Sequence, residues 1–214
     1  PISREICQSS LDAALENGEP TRIEFKTFEI DPHKIPDYSN LEDALKRALD
    51  FWSQQQSTKA KTFFKQALDV IHKSTITCLR ISDFNTSGLV GSREEYNSPW
   101  CNLTKSSGAS DKSGSHGGSF GIGKFAPYAC SSLRTVFYST SDKDGLCASQ
   151  GVSRLTSFKS KKNEITQGTG FYGNDKNSPM YKQFSLDPAY SRSAENSGTD
   201  IFIAAFNGDK GWQH

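Results

Sequence analysis

Apolar residues recur at helical spacing from Ser3 to Leu15, where Ile6, Cys7, Leu11, Ala14 and Leu15 share one side of the chain. Asn17-Gly18 supplies the stop, because glycine enters the left-handed conformation that ends helices at little cost. The period then changes: Ile23 and Phe25 alternate with Arg22, Glu24 and Lys26, which predicts a half-buried strand over Thr21 to Ile30. Pro32 and Pro36 break the chain before a helical pair between Asn40 and Lys73. One stripe of that pair is Leu41, Ala44, Leu45, Ala48, Leu49 and Trp52, and the other is Phe63, Phe64, Ala67, Leu68 and Ile71. Both are core-facing stripes. Thr75 to Ser82 is β-branched and apolar, and reads as a buried strand that delivers Asp83 at its C-terminal end.

Periodicity fades from Thr86 to Gly118, and the stretch from Lys105 onward is mostly Ser and Gly, too polar to offset the entropy of ordering it. A mobile loop is expected there. Gly121 to Ser131 suits a short helix, Leu133 to Thr140 a strand, and Leu146 to Phe158 a further hairpin arm. Past Lys159 the pattern weakens until Asp200 to Phe206, a strand introduced by Ser197-Gly198-Thr199. With no internal repeat, helices set apart from a mostly antiparallel sheet predict an α+β fold.

Composition narrows the class of protein. A chain of 214 residues suits a single domain over 1–214 that needs no staples. Its 25 Lys and Arg nearly balance 24 Asp and Glu, so a net charge of +1 gives no reason to invoke nucleic acid or an anionic membrane. The five cysteines are odd in number and never form a C-x-x-C pair, which argues for reduced thiols in a cytoplasmic protein. No apolar run approaches the roughly 20 residues of a membrane helix. An opening without Met and a close on Gly208 to His214 suggest the N-terminal part of a longer protein.

The candidate chemistry lies in Gly117-Gly-Ser-Phe-Gly-Ile-Gly-Lys-Phe-Ala126. Glycines entering a predicted helix expose backbone N–H groups toward an anion, and Lys124 adds an ammonium for a terminal phosphate. Gly118 to Lys124 satisfies the P-loop spacing, but Phe125 replaces the magnesium-holding Ser or Thr and no strand precedes it. Gly121-x-Gly123-x-x-Ala126 satisfies the dinucleotide fingerprint, yet lacks its βαβ setting. An ordinary glycine-rich loop before a helix is the remaining reading.

Three other segments combine with this one into a pattern. Glu5-Ile-Cys-Gln-Ser-Ser-Leu-Asp12-Ala13 matches E-x-x-x-N-x-x-D-A with Ser9 in place of Asn. Asp83-Phe-Asn-Thr-Ser-Gly88 is one residue looser than D-x-G-x-G, Gly118, Gly121 and Gly123 match G-x-x-G-x-G, and Gly198-Thr199 precedes a strand. In this order the chain resembles the GHKL ATPases, the superfamily of gyrase B, the heat-shock chaperone of that fold, histidine kinases, MutL and MORC proteins. The resemblance runs from Glu5 to Thr199.

That resemblance implies a two-layer α/β sandwich of Bergerat type with a mixed, mainly antiparallel sheet, and an ATP lid at about 86–117. It implies ATP and Mg2+ as cofactors. Glu5 would be the general base toward water, Ser9 would stand at the magnesium position, and Asp12 and Ala13 would line the nucleotide side of the first helix. Asp83 would accept the adenine amino group, supported by Gly88 and Thr199. Gly118, Ser119, Phe120, Gly121, Ile122, Gly123 and Lys124 would cradle the phosphates. The implied activity is slow ATP hydrolysis that switches conformation or drives an ATP-dependent homodimer through the parent protein, with any nucleic acid reached only through other domains. Because a Ser hydroxyl is a short, weak magnesium ligand, a nucleotide-sensing module without turnover is the alternative.

Overall fold

The computed structural model describes residues 2–105, 125–193 and 195–208. Its helices are α1 (Ile2–Asp12), α2 (Tyr38–Ser53), α3 (Thr58–Ile71), α4 (Pro99–Thr104) and α5 (Ala126–Ala129). Its strands are β1 (Arg22–Ile30), β2 (Ile76–Phe84), β3 (Thr135–Ser141), β4 (Cys147–Arg154), β5 (Thr169–Tyr172) and β6 (Gly198–Ile203). They form one six-stranded sheet in the order β1-β2-β6-β3-β4-β5. Every pairing among the described strands is antiparallel, where the sequence led us to expect a mixed sheet. The last strand slots between β2 and β3, antiparallel to both, and thereby joins the two halves of the chain.

Alternation along the strands separates two faces. Toward α2 and α3 point Ile76 and Cys78 of β2, Phe137 of β3 and Phe202 of β6, which pack with Leu45, Ala48, Phe64, Ala67 and Ile71. Both helical stripes therefore enter this core as their spacing requires. Ser57 caps α3 by accepting the Ala60 N–H at 3.4 Å. The sheet and the α2–α3 pair form the main body.

On the opposite face Leu79, Ile81 and Ile203 meet Ile6 of α1, while Val136, Tyr138, Ala148 and Val152 meet Trp100 and Tyr128 from α4 and α5. Within the stretch expected to be a loop, Pro99 at the helix start and the Ser98 cap on the Cys101 N–H (3.1 Å) build α4. Trp100, fully buried, anchors it to the sheet. A single large aromatic did what no periodic pattern signalled. The rest of the expected lid, residues 106–117, lies outside the described residues.

Two further departures have local causes. α1 ends at Asp12, not Leu15, because Ala14 bridges Thr86 and the Leu15 N–H donates to the Asn85 carbonyl at 3.3 Å. Tertiary hydrogen bonds replaced the last helical turn. The short strand β5 was not anticipated; it has four residues and exists through its pairing with β4.

Candidate functional site

Asp83 is the penultimate residue of β2, on the face toward α1, and is the point where distant segments meet. Its Oδ1 accepts the Thr199 backbone N–H at 2.7 Å and the Thr86 hydroxyl at 2.9 Å. Its Oδ2 accepts the Ser10 hydroxyl of α1 at 3.0 Å. An ionised carboxylate offers about four lone-pair sites. Among the described residues both sites of Oδ1 and one of Oδ2 are used, which leaves one acceptor direction.

Burial pushes the Asp83 carboxyl above its ordinary range, since the charged form loses solvation. The donors Thr199, Thr86 and Ser10 and the positive charge of Arg192 pull in the opposite direction but do not cancel it. The group is thus held in one orientation by its three donors.

Glycine is required at two positions beside it. Gly88 has φ +64, and a Cβ there would meet the Ser141 carbonyl oxygen at 2.7 Å and Thr140 Oγ1 at 2.8 Å. Gly198 has φ +152, and its Cβ would collide with the Asp83 carbonyl oxygen. Thr140 closes the corner by accepting the Leu89 N–H at 2.8 Å and donating to the Gly198 carbonyl at 2.9 Å. The segment after α1 is tied in as well, for Ser87 N–H donates to the Ala13 carbonyl at 2.7 Å.

Ala13, Asp83, Gly88 and Thr199, four residues singled out in the sequence, are thereby assembled in one corner. Ser9 reaches it through the backbone, its carbonyl accepting the Ala13 N–H at 3.2 Å. Ser9 is exposed on α1, and Asp12 is exposed and accepts from Gln8 Nε2 at 2.8 Å. Glu5 lies on α1, but its side chain is outside the described residues, as are Gly118, Ser119, Phe120, Gly121, Ile122, Gly123 and Lys124. Among the described residues no group of three or more His, Cys, Asp and Glu side chains assembles a metal site.

Sequence reasoning missed the residues that hold the corner in place: Ser10, Thr86, Thr140, Arg192 and Asp200. Arg192 grips Asp200 through Nε to Oδ2 at 2.9 Å and Nη2 to Oδ1 at 2.7 Å, with both side chains buried. Two ionisable residues eight apart around the Gly-Thr pair were the only signal for it. A separate hollow of about 260 Å³ lies between the start of α2 and strands β3 to β5, lined by Leu41, Phe137, Phe158, Gly170 and Tyr172, and does not include Asp83.

Comparison of the chain with protein-family models, with curated proteins and with solved structures finds no match.

Proposed function

We propose that the chain is a nucleotide-binding domain in which Asp83 reads the base of ATP. The observation that carries this reading is the convergence of α1, the end of β2 and the Gly198-Thr199 start of β6 on one carboxylate with a single remaining acceptor site. An exocyclic amino group fits that site as donor. A carbonyl in its place, as in guanine, would face a carboxylate oxygen and leave both groups unpaired, a mismatch of the kind that costs several kcal/mol. The Bergerat-type description of the fold belongs to the same proposal.

In this reading α1 carries the hydrolytic side. Glu5 orients and deprotonates water, and the glycine segment from Gly118 to Lys124 binds the phosphates through backbone N–H groups. Magnesium supplies charge neutralisation at the phosphates. Ser9 would be the residue that holds it, through a single hydroxyl that is a weak magnesium ligand. The output is slow hydrolysis used as a conformational or dimerisation switch for attached domains, a step that rests on resemblance in fold.

Calorimetric titration with ATP, GTP and adenosine tests the reading. Binding of ATP with clear preference over GTP, reduced at least tenfold in Asp83→Asn, is the expected result; equal binding of ATP and GTP, or of neither, overturns it. Phosphate release then separates an ATPase from the alternative, a nucleotide sensor without turnover, which rests on Ser9 standing where Asn would be the better magnesium ligand. Turnover that Glu5→Ala abolishes supports the ATPase. Tight ATP binding with no release supports the sensor.

A further inference from the structure

The ladder between β2 and β6 runs from Leu79↔Ile203 to Ser82↔Asp200 and stops there. One position further on, where Asp83 and Thr199 face each other, the strand ends are joined by side chains. Asp83 Oδ1 takes the Thr199 N–H, and Arg192 takes the two carbonyls: Nη2 donates to Asp83 O at 2.7 Å and to Thr199 O at 3.1 Å. The same guanidinium is locked by its two bonds to Asp200, by Nη1 to the Asn196 carbonyl at 3.3 Å, and by stacking over the Phe84 ring at 4.6 Å. Asp200 is fixed in turn by the Tyr190 hydroxyl at 2.8 Å. At Gly198 the space a Cβ would need is already taken by the Asp83 carbonyl and by Arg192 Nη1, which lies 2.6 Å from that position.

We infer that Arg192 is a positioning residue for base recognition: from the opposite face of the sheet it sets the spacing of the Asp83 and Thr199 backbones, and so aims the Asp83 carboxylate. This rests on the nucleotide reading above. The chemistry suits arginine specifically. A rigid planar fork reaches carboxylate and carbonyls at fixed angles at once, whereas a lysine ammonium presents three donors from a point. The same Nη2 that binds Asp200 also reaches the two carbonyls flanking the reading position, so the ion pair and the backbone clamp share one group.

The test compares Arg192→Lys, which keeps the charge and loses the fork, with Tyr190→Phe, which removes one bond to Asp200 and leaves the carbonyl clamp. Each folded variant is titrated with adenosine, which engages only the base corner, and with inorganic tripolyphosphate, which does not. Arg192→Lys is expected to weaken adenosine about tenfold, the loss of roughly one hydrogen bond to a charged group, while tripolyphosphate affinity stays within about twofold. Tyr190→Phe is expected to change neither by more than about twofold. Equal losses for the two ligands, or unchanged adenosine binding, overturn the positioning role. Hydrogen exchange at the Thr199 amide supplies a readout without ligand: faster exchange in Arg192→Lys, at unchanged global stability, is expected, and unchanged exchange sinks the clamp. Wild-type protein that binds neither adenosine nor ATP, with the exchange effect intact, overturns the nucleotide reading and leaves the clamp standing as structure. Should Arg192→Lys fail to fold, Asp200→Asn, which weakens the fork while preserving shape, is read by the same two measurements with the same outcomes.

Discussion

The α2–α3 face of the sheet and the corner at Asp83 are held by different physics. Toward α2 and α3 the contacts are apolar and numerous, and Phe64, Ala67 and Ile71 are fully buried against Cys78, Phe137 and Phe202. At the Asp83 corner the contacts are few, polar and directional, with partners from residues 10, 86, 140, 192 and 199. A face held by area tolerates small shifts, because burial is nearly non-directional. A corner held by hydrogen bonds has one working geometry. If the proposed base recognition is right, bulk stability and recognition reside in separable parts of the molecule, and substitutions should divide along that line.

The largest effect is expected from Phe64→Ala, which empties a ring volume in the apolar face and should cost about 3–5 kcal/mol in urea unfolding. Nucleotide affinity of the protein that remains folded should be unchanged; a parallel loss of affinity would join the two regions. Gly198→Ala comes next. It adds one carbon against the Asp83 carbonyl and Arg192 at a φ that disfavours side chains, and should cost about 1–3 kcal/mol by thermal unfolding while weakening ligand binding out of proportion. Stability loss with normal binding would show that the corner relaxes around the methyl.

A pH series on Asp83→Asn sharpens the comparison further. The folded Asp83 pKa is raised by burial, so the native state holds its proton longer than the unfolded chain does. Its contribution to stability is complete below the ordinary carboxylate pKa and is lost as pH rises through the raised value. Denaturant midpoints should accordingly show wild type losing ground to Asp83→Asn as pH rises through that window, and a constant difference would contradict the burial cause. The smallest effect is expected at the α2 surface, where Asp43 pairs with Arg47 at 2.8 Å and with Lys161 at 3.4 Å. Asp43→Asn should cost no more than about 0.5 kcal/mol, and that should shrink in high salt.

The apolar face was legible because its code is local. The stripes at Leu45, Ala48, Phe64 and Ala67 repeat every turn, so the helix and its buried side are written in consecutive residues. The Asp83 corner was only half legible. Asp83, Gly88 and Thr199 stood out through a resemblance in order and spacing, whereas Ser10, Thr86 and Arg192 are common residue types with no periodic mark. Their role depends on which strand lies beside which, and β6 enters between β2 and β3 only when the sheet closes.

By itself, then, the amino-acid order determined the α+β class, the two core helices and most strands. Tertiary structure alone decided the fully antiparallel sheet, the anchoring of α4 by Trp100, the early end of α1 and the set of donors around Asp83. The reason is range. Helix periodicity and glycine conformation act within a few residues, while a carboxylate finds donors 73 and 116 positions away only after the strands that carry them have paired.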